Sequence, residues 1–126
     1  MPEESSNVDR FIHDEMDSVP HLEALLLLWR NAPKPCSVSQ IAEQLYIAPA
    51  EAATIADDLH RRGLIAHDGA SAFFYDASKE ERNRLLQALE STYRRELIRI
   101  SGIIHSKASP GIRAFANAFR FRKDKG

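Results

Sequence analysis

The 126-residue sequence contains a single cysteine, Cys36, and no long run of apolar residues. One cysteine excludes a disulfide within the chain, and an unpaired thiol is compatible with a reducing compartment. The longest apolar run, residues 24–29, holds six residues, whereas a membrane-spanning helix needs ~18. The acidic residues 1–9 contain no apolar segment typical of a secretory leader. We therefore expect a cytoplasmic protein without a membrane span.

Motifs for catalysis and metal binding are also missing. The sequence has no glycine-rich phosphate-binding loop, no nucleophile elbow, no Cys-x-x-Cys pair and no His-Glu-x-x-His motif. The nearest pattern to a metal site is His13, Asp17 and His21, which are spaced like ligands on one helix. Ser18 and Pro20 interrupt a helix between them, so the three side chains need not share a face. We predict a protein that is not an enzyme and that has no metal ion or cofactor.

Basic residues are scarce in the first half of the chain and concentrated at its end. Residues 1–62 carry 11 acidic and five basic side chains, whereas residues 110–126 carry one acidic and five basic ones. The net charge of the whole chain is −1 at pH 7. An acidic body with a basic tail is informative about binding partners rather than about the fold.

Apolar residues recur at helical spacing through most of the chain, which is long enough for one domain, residues 1–126. A short helix is predicted from about Val8 to Asp17, and a second helix follows Ser18. Capping boxes at residues 37–40 and 78–81 predict the starts of two more helices, the later one running over about residues 79–107.

Between these capping boxes, Pro49 suits the first turn of a further helix, and Gly63 suits the left-handed residue that ends it. Two short β-prone runs, residues 64–66 and 72–75, flank a glycine-containing turn. The predicted fold class is therefore mainly α: a winged helix-turn-helix at about residues 19–76, with a two-stranded β-hairpin wing and flanking N- and C-terminal helices.

The order of these elements resembles that of winged-helix transcriptional regulators of the multiple-antibiotic-resistance-regulator (MarR) type. The resemblance lies in the layout and covers nearly the whole chain. In that family an N-terminal helix and long C-terminal helices form a dimerisation bundle around two DNA-binding units. The resemblance implies a bacterial-type regulator that binds duplex DNA as a homodimer.

The recognition helix that this resemblance implies lacks the usual positive charge. Affinity for duplex DNA draws on Lys and Arg side chains that neutralise phosphates. The outward positions of this helix are instead small, hydroxylic or acidic, and Asp57 and Asp58 are expected to repel phosphate. Arg61 and Arg62 either contact phosphates or cap the helix end. The candidate DNA-contacting residues are Ser39, Gln40, Ala50, Glu51, Thr54, Arg61, Arg62, His67 and Ser71.

Two classes of function fit this pattern. The first is a homodimeric regulator that binds duplex DNA with an unusually acidic recognition helix. The second is a protein–protein interaction module, a regulatory adaptor that does not bind DNA directly. In that case the acidic helix and its small residues, Ala48, Ala50 and Ala53, meet a basic or apolar partner surface.

The apolar seam of the predicted long helix and the basic tail both indicate partners. The seam is longer than one winged unit can cover. We expect the N-terminal helix to cover part of it and a second subunit to cover the rest, which predicts a two-fold dimer. The predicted dimerisation residues are Leu86, Leu89, Tyr93, Leu97, Ile100, Ile104, Phe115 and Phe119.

The basic amphipathic tail, about residues 110–126, carries an apolar stripe among positive charges. The stripe suits packing on the helical bundle, whereas the aromatic and basic residues together suit nucleic acid, an acidic protein surface or an anionic membrane. The basic residues of the tail are Arg113, Arg120, Arg122, Lys123 and Lys125.

Overall fold

The computed structural model describes residues 2–107, which form six helices and a three-stranded antiparallel sheet. The elements in chain order are α1 (Pro2–Glu15), α2 (Val19–Asn31), β1 (Cys36–Ser37), α3 (Val38–Leu45), α4 (Pro49–Arg61), β2 (Ala66–His67), β3 (Ala72–Phe74), α5 (Glu80–Arg95) and α6 (Leu97–Lys107). The mainly α winged helix-turn-helix predicted from the sequence is confirmed.

Short-range interactions define the helix-turn-helix. The predicted capping box is present at the start of α3, where the Gln40 N–H donates to Ser37 Oγ at 3.1 Å and the Ser37 N–H donates to Gln40 Oε1 at 2.8 Å. Tyr46 ends α3 in the left-handed conformation, with φ of 57°, and Pro49 occupies the first turn of α4. Gly63 follows α4 with φ of +75°, a conformation that glycine adopts without a steric cost.

The wing contains the predicted hairpin and one further strand. β2 and β3 pair antiparallel across a turn in which Gly69 has φ of +86°. The Asp68 carboxylate accepts hydrogen bonds from the N–H groups of Ala70 and Ala72, at 2.8 and 3.0 Å, and these bonds lower the pKa of Asp68. β1 pairs with the other edge of β3. β1 was not predicted from the sequence, because two residues are too few for an alternating pattern.

The core is centred on α2. Leu22, Leu25, Leu26 and Leu28 are at most 1% exposed, and α2 contacts α3, α4, α5 and β3. Burial of a leucine side chain contributes about 1.5–3 kcal/mol through the hydrophobic effect. The winged unit and the C-terminal helices therefore share one hydrophobic core.

The predicted long C-terminal helix is interrupted at Glu96, whose backbone has φ of −131° and ψ of 48°. Arg99 lies one turn beyond the break and donates to Glu96 Oε1 at 2.7 Å and to both carboxylate oxygens of Asp9 on α1. The helices on the two sides of the break, α5 and α6, both contact α1. A single helix over residues 79–107 is thus corrected to two.

Two other helices begin at different residues from those predicted. α5 begins at Glu80, with Lys79 as an N-cap that makes no side-chain hydrogen bond. The predicted capping box at residues 78–81 is absent because the Ser78 N–H donates to Asp76 Oδ1 at 3.0 Å, which forms a turn instead. α1 extends back to Pro2 rather than beginning near Val8.

Much of the apolar seam predicted to face a second subunit is covered by the chain itself. Four of its residues are 0% exposed: Leu86, Leu89, Ile100 and Ile104. Their assignment to a dimer interface is wrong, because α1 packs against both α5 and α6. The exposed apolar surface lies instead at Leu97 and Ile98, which are 51% and 87% exposed. Phe115 and Phe119 lie outside the described residues.

Tyr93, another residue of the predicted dimer seam, contacts α2 of its own chain. Its hydroxyl donates to Glu23 Oε2 at 3.1 Å. Burial, together with the neighbouring Glu23 carboxylate, raises the pKa of Tyr93 to about 12. The phenol of the folded protein is therefore protonated at pH values where the phenol of the unfolded chain, with its ordinary pKa of about 10, has ionised.

A dependence of stability on pH follows from this shift. Between about pH 10 and pH 12 the folded state binds more protons than the unfolded state, so the free energy of unfolding should fall as the pH rises. In urea unfolding at several pH values, Tyr93→Phe should reduce this slope. Burial also raises the pKa values of Tyr75 and Cys36, so part of the slope should remain in this variant. Tyr46→Phe, at a side chain 95% exposed, should retain the wild-type slope, and an equal slope in Tyr93→Phe would contradict the prediction.

Within residues 2–107, no helix combines the length and the apolar character needed to cross a lipid bilayer.

Candidate nucleic-acid interface

The outward face of α4 is exposed along its whole length. Ala52, Ile55, Ala56 and Leu59 form the opposite face and are at most 2% exposed. The Thr54 hydroxyl donates to the Ala50 carbonyl oxygen at 3.2 Å, so it is held close to its own helix. The exposed residues of this face are Ala50, Glu51, Ala53, Thr54 and Asp57.

Asp58, which was predicted to face outward with Asp57, turns towards α2 instead. Its side chain is 21% exposed. Asp58 Oδ2 lies 2.9 Å from His21 Nε2, and its other oxygen accepts a hydrogen bond from Arg61. The hydrogen bond to His21 holds the pKa of Asp58 below its ordinary value. Asp58 therefore belongs to the junction between α4 and α2. Of the two neighbouring aspartates, Asp57 is the one that lies on the outward face.

The two arginines that end α4 have different environments. The Arg61 side chain is 68% exposed and pairs with Asp57 at 3.1 Å and with Asp58. Its guanidinium group therefore lies on the accessible side of α4, within reach of an external anion.

The Arg62 side chain is 33% exposed and is tied to the junction between α1 and α2. Its Nη2 donates to both carboxylate oxygens of Asp17 at 3.1 Å. Its Nη1 donates to the Asp14 carbonyl oxygen at 3.1 Å and to Glu15 Oε1 at 3.4 Å. These contacts make Arg62 a bridge between helices, in contrast to the exposed Arg61.

The wing places His67 beside the end of α4. The His67 ring lies 4.9 Å from the ring of Phe73 and 6.3 Å from that of His60, centroid to centroid. Its Nδ1 accepts a hydrogen bond from the Gly69 N–H at 3.0 Å. Ser71, in the turn between β2 and β3, is exposed. His60, which the sequence places with His67 on either side of the wing but not among the candidate DNA-contacting residues, therefore lies with His67 at the base of the wing.

The first turn of α3 contributes the remaining candidates. Ser39 and Gln40 are both exposed. The Gln40 side chain is engaged in the capping box with Ser37, so part of its hydrogen-bonding capacity is already used. The candidate DNA-contacting residues thus divide into α3, α4 and the wing, while the tail residues Arg113, Arg120, Arg122, Lys123 and Lys125 lie outside the described residues.

A second group of side chains comes together behind α4. Asp17 follows α1, His21 lies in the first turn of α2, and Asp58 lies on α4. One ligand-type atom from each of these residues lies within 4.8 Å of the others. His13, the third member of the sequence pattern, lies apart from them with Nδ1 3.1 Å from Asp14 Oδ1. Ser18 does end the helical repeat, as expected, and the turn it creates brings Asp17 and His21 to the same place.

No family model and no curated protein matches this chain. Among solved structures, RV1404 from Mycobacterium tuberculosis is similar, with a TM-score of 0.50 and 19% sequence identity over 95% of this chain and 84% of that one. A MarR family protein from Bacillus stearothermophilus gives a TM-score of 0.49 and 16% identity over 98% of this chain and 85% of that one. At these identities the likeness concerns the fold alone.

Proposed function

We propose that this chain is a winged-helix transcriptional regulator, rather than an enzyme, and that it binds double-stranded DNA as a homodimer. The observation that carries the proposal is the outward face of α4, which stays exposed while the rest of the helix is buried against α2 and α3. In helix-turn-helix proteins this helix enters the major groove and its side chains contact the bases. The Glu51 carboxylate on this face can accept a hydrogen bond from a base, and so can the Thr54 hydroxyl oxygen, whose hydrogen is donated to Ala50.

Arg61 is the phosphate-binding group that we assign to α4. Ion pairs between exposed side chains contribute about 0–1 kcal/mol, so Arg61 can exchange Asp57 for a phosphate at small cost. Arg62 cannot do so without breaking its two hydrogen bonds to Asp17. We therefore keep Arg61 as a DNA-contacting residue and remove Arg62 from that set.

Other contacts in this proposal come from the flanks and from the tail. Ser39 and Gln40 at the start of α3, and His67 and Ser71 in the wing, flank α4 and suit contacts to phosphates. The tail, residues 110–126, supplies five further basic side chains per chain. Its charge would compensate for the carboxylates of α4, because phosphate neutralisation supplies most non-specific affinity.

The homodimer is proposed from the exposed apolar residues Leu97 and Ile98 at the junction of α5 and α6. Large apolar side chains exposed side by side often mark interaction sites. Because most of the predicted seam is buried within its own chain, the exposed patch formed by Leu97 and Ile98 is the surface that we assign to contact with a second copy.

The test is fluorescence anisotropy with a random-sequence duplex at low salt, followed by a salt titration. Each phosphate contact contributes roughly −0.9 to the slope of log K against log salt, so Arg61→Gln should make the slope of a dimer less negative by about 2. Arg62→Gln is the matched control and should leave the slope unchanged. Absence of binding at micromolar protein in low salt would exclude unaided DNA binding.

A second candidate function is a protein interaction module. The observation that favours it is that α4 presents Glu51 and Asp57 outward while both arginines at its end pair with carboxylates of the same chain. Tyr46, beside the start of α4, is 95% exposed and adds an aromatic contact. Such a surface is complementary to a basic partner with an apolar centre.

A further inference from the structure

We infer that Asp17, His21 and Asp58 form a binding site for a divalent transition-metal ion at the junction of α1, α2 and α4. The inference goes beyond the proposed DNA binding and does not depend on it. One imidazole and two carboxylates form a donor set that suits ions of the Zn²⁺ and Mn²⁺ class, since imidazole binds the former well and carboxylates bind the latter.

The three ligand atoms are close enough for one ion. They lie within 4.8 Å of one another, whereas ligands at roughly 2.0–2.2 Å from a common ion lie roughly 3–4 Å apart. A movement of about an ångström in the carboxylate side chains closes the difference. His21 is 8% exposed, so the ion would bind at a mostly buried imidazole with two carboxylates on its accessible side.

His21 is already oriented as a metal ligand would be. Its Nε2 points at Asp58, 2.9 Å from Oδ2. Its Nδ1 lies 2.6 Å from Ser18 Oγ, which also accepts the His21 N–H at 3.2 Å as the N-cap of α2. With Nε2 on the ion, the Nδ1–H donates to Ser18 Oγ. A metal-bound histidine almost always donates its other ring N–H in this way, which fixes the tautomer and the ring orientation.

The charges around His21 also favour a cation. Arg62 pairs with Glu15 and Asp17, and Arg61 pairs with Asp57 and Asp58. These four carboxylates and two guanidinium groups have a formal charge of −2 when His21 is neutral. A divalent ion neutralises this charge at the point where Asp17 and Asp58 come closest.

Arg62 is the competitor for the ion. Its Nη2 donates to both oxygens of Asp17, so an ion can bind Asp17 only by displacing part of this contact. Removal of Arg62 should therefore strengthen metal binding. If the cluster is only a hydrogen-bonded brace between helices, the same removal would weaken the brace and would not strengthen binding of any ligand.

The experiment is isothermal titration of the chelator-treated full chain with Zn²⁺ and, separately, with Mn²⁺, supported by the visible absorption of bound Co²⁺. We expect one ion per chain at this site. Asp58→Asn should weaken binding by about 10-fold or more, the range seen even for residues that only support metal ligands. Arg62→Gln should strengthen it several-fold.

Two control variants separate this site from other surface groups. Asp57 lies on the same helix as Asp58 and pairs with the same arginine, but it supplies no ligand atom. Asp57→Asn should therefore weaken binding far less than Asp58→Asn, by the loss of one nearby negative charge alone. His67→Gln removes one imidazole of the exposed pair with His60 and should also leave the affinity unchanged.

Three results would overturn the inference. The first is that the wild-type chain does not bind the ion at about 1 mM, a concentration far above the dissociation constants of typical protein metal sites. The second is that Asp57→Asn and Asp58→Asn lose the same affinity. The third is that the affinity of Arg62→Gln for the ion is unchanged or weaker. Circular dichroism checks that each variant is folded. If Asp58→Asn does not fold, the inference is tested by whether Arg62→Gln raises or lowers the affinity for the ion.

Discussion

Replacing Leu89 with alanine is expected to lower the free energy of unfolding by about 2–5 kcal/mol, the range for a leucine removed from a packed core. Leu89 is 0% exposed on α5, as are Ile100 and Ile104 on α6. The substitution leaves a cavity that α1 and α6 can fill only in part, since both helices are held by other contacts. Urea unfolding, followed by circular dichroism, measures the loss.

The matched control is Ile98→Ala, at a side chain 87% exposed, which should change the stability of the chain by about 0.5 kcal/mol or less at the lower protein concentration, where association contributes least. Both variants are measured at two protein concentrations. Because Leu89 is buried by its own chain, its loss of stability should be the same at both. A loss below about 1 kcal/mol, or one that appears only at high concentration, would place Leu89 at an interface between chains.

The same pair of variants addresses the proposed homodimer. Sedimentation velocity should show that Ile98→Ala lowers the dimer fraction, because Ile98 belongs to the exposed apolar patch, while a folded Leu89→Ala retains it. An unchanged dimer fraction in Ile98→Ala would remove this patch from the interface. The proposal of a homodimer fails if the wild-type chain sediments as a single protomer of 14.2 kDa.

Reversing the charge of the outward face of α4 is expected to strengthen DNA binding greatly. The double substitution Glu51→Lys and Asp57→Lys replaces two carboxylates by two ammonium groups in each chain. If α4 lies in the major groove, a dimer gains four contacts with phosphates. We expect an increase in affinity on the order of 100-fold at low salt and a steeper salt dependence. Anisotropy with the random duplex measures both.

Glu80→Lys with Glu81→Lys is the control for this charge reversal. It makes the same change in net charge at two exposed residues in the first turn of α5, a different helix. A chain that binds DNA through α4 should respond far more strongly to the substitutions in α4. Equal gains in the two double variants would mean that the effect comes from net charge alone, and would favour the protein interaction module.

Much of the helix-turn-helix could be predicted because it depends on residues close together in the chain. The capping box joins Ser37 and Gln40, which are three positions apart, and Pro49 and Gly63 act through their own backbone conformations. The helical repeat of apolar residues that buries Ile55 and Leu59 also predicts which side of α4 is exposed. The shortage of basic side chains on that face follows directly from the amino-acid sequence.

The candidate metal site could not be predicted, although two of its ligands were recognised as part of a pattern. His21 and Asp58 are 37 positions apart, and Arg62 reaches Asp17 over 45 positions. No periodicity relates such residues. The chain turns at Ser18, and the packing of α4 on α2 then brings the third ligand to the first two.

The sequence by itself determined the order of the elements, the helix-turn-helix and the acidic outward face of α4, because capping, helical period and turn residues act over a few positions. The tertiary structure alone decided which charges on α4 remain accessible. Packing against α2 turned Asp58 inward and bound Arg62 to Asp17, so the face retains Arg61, Asp57 and Glu51. The break at Glu96 was likewise seen only in the tertiary structure, where Arg99 beyond the break reaches Asp9, 90 positions away.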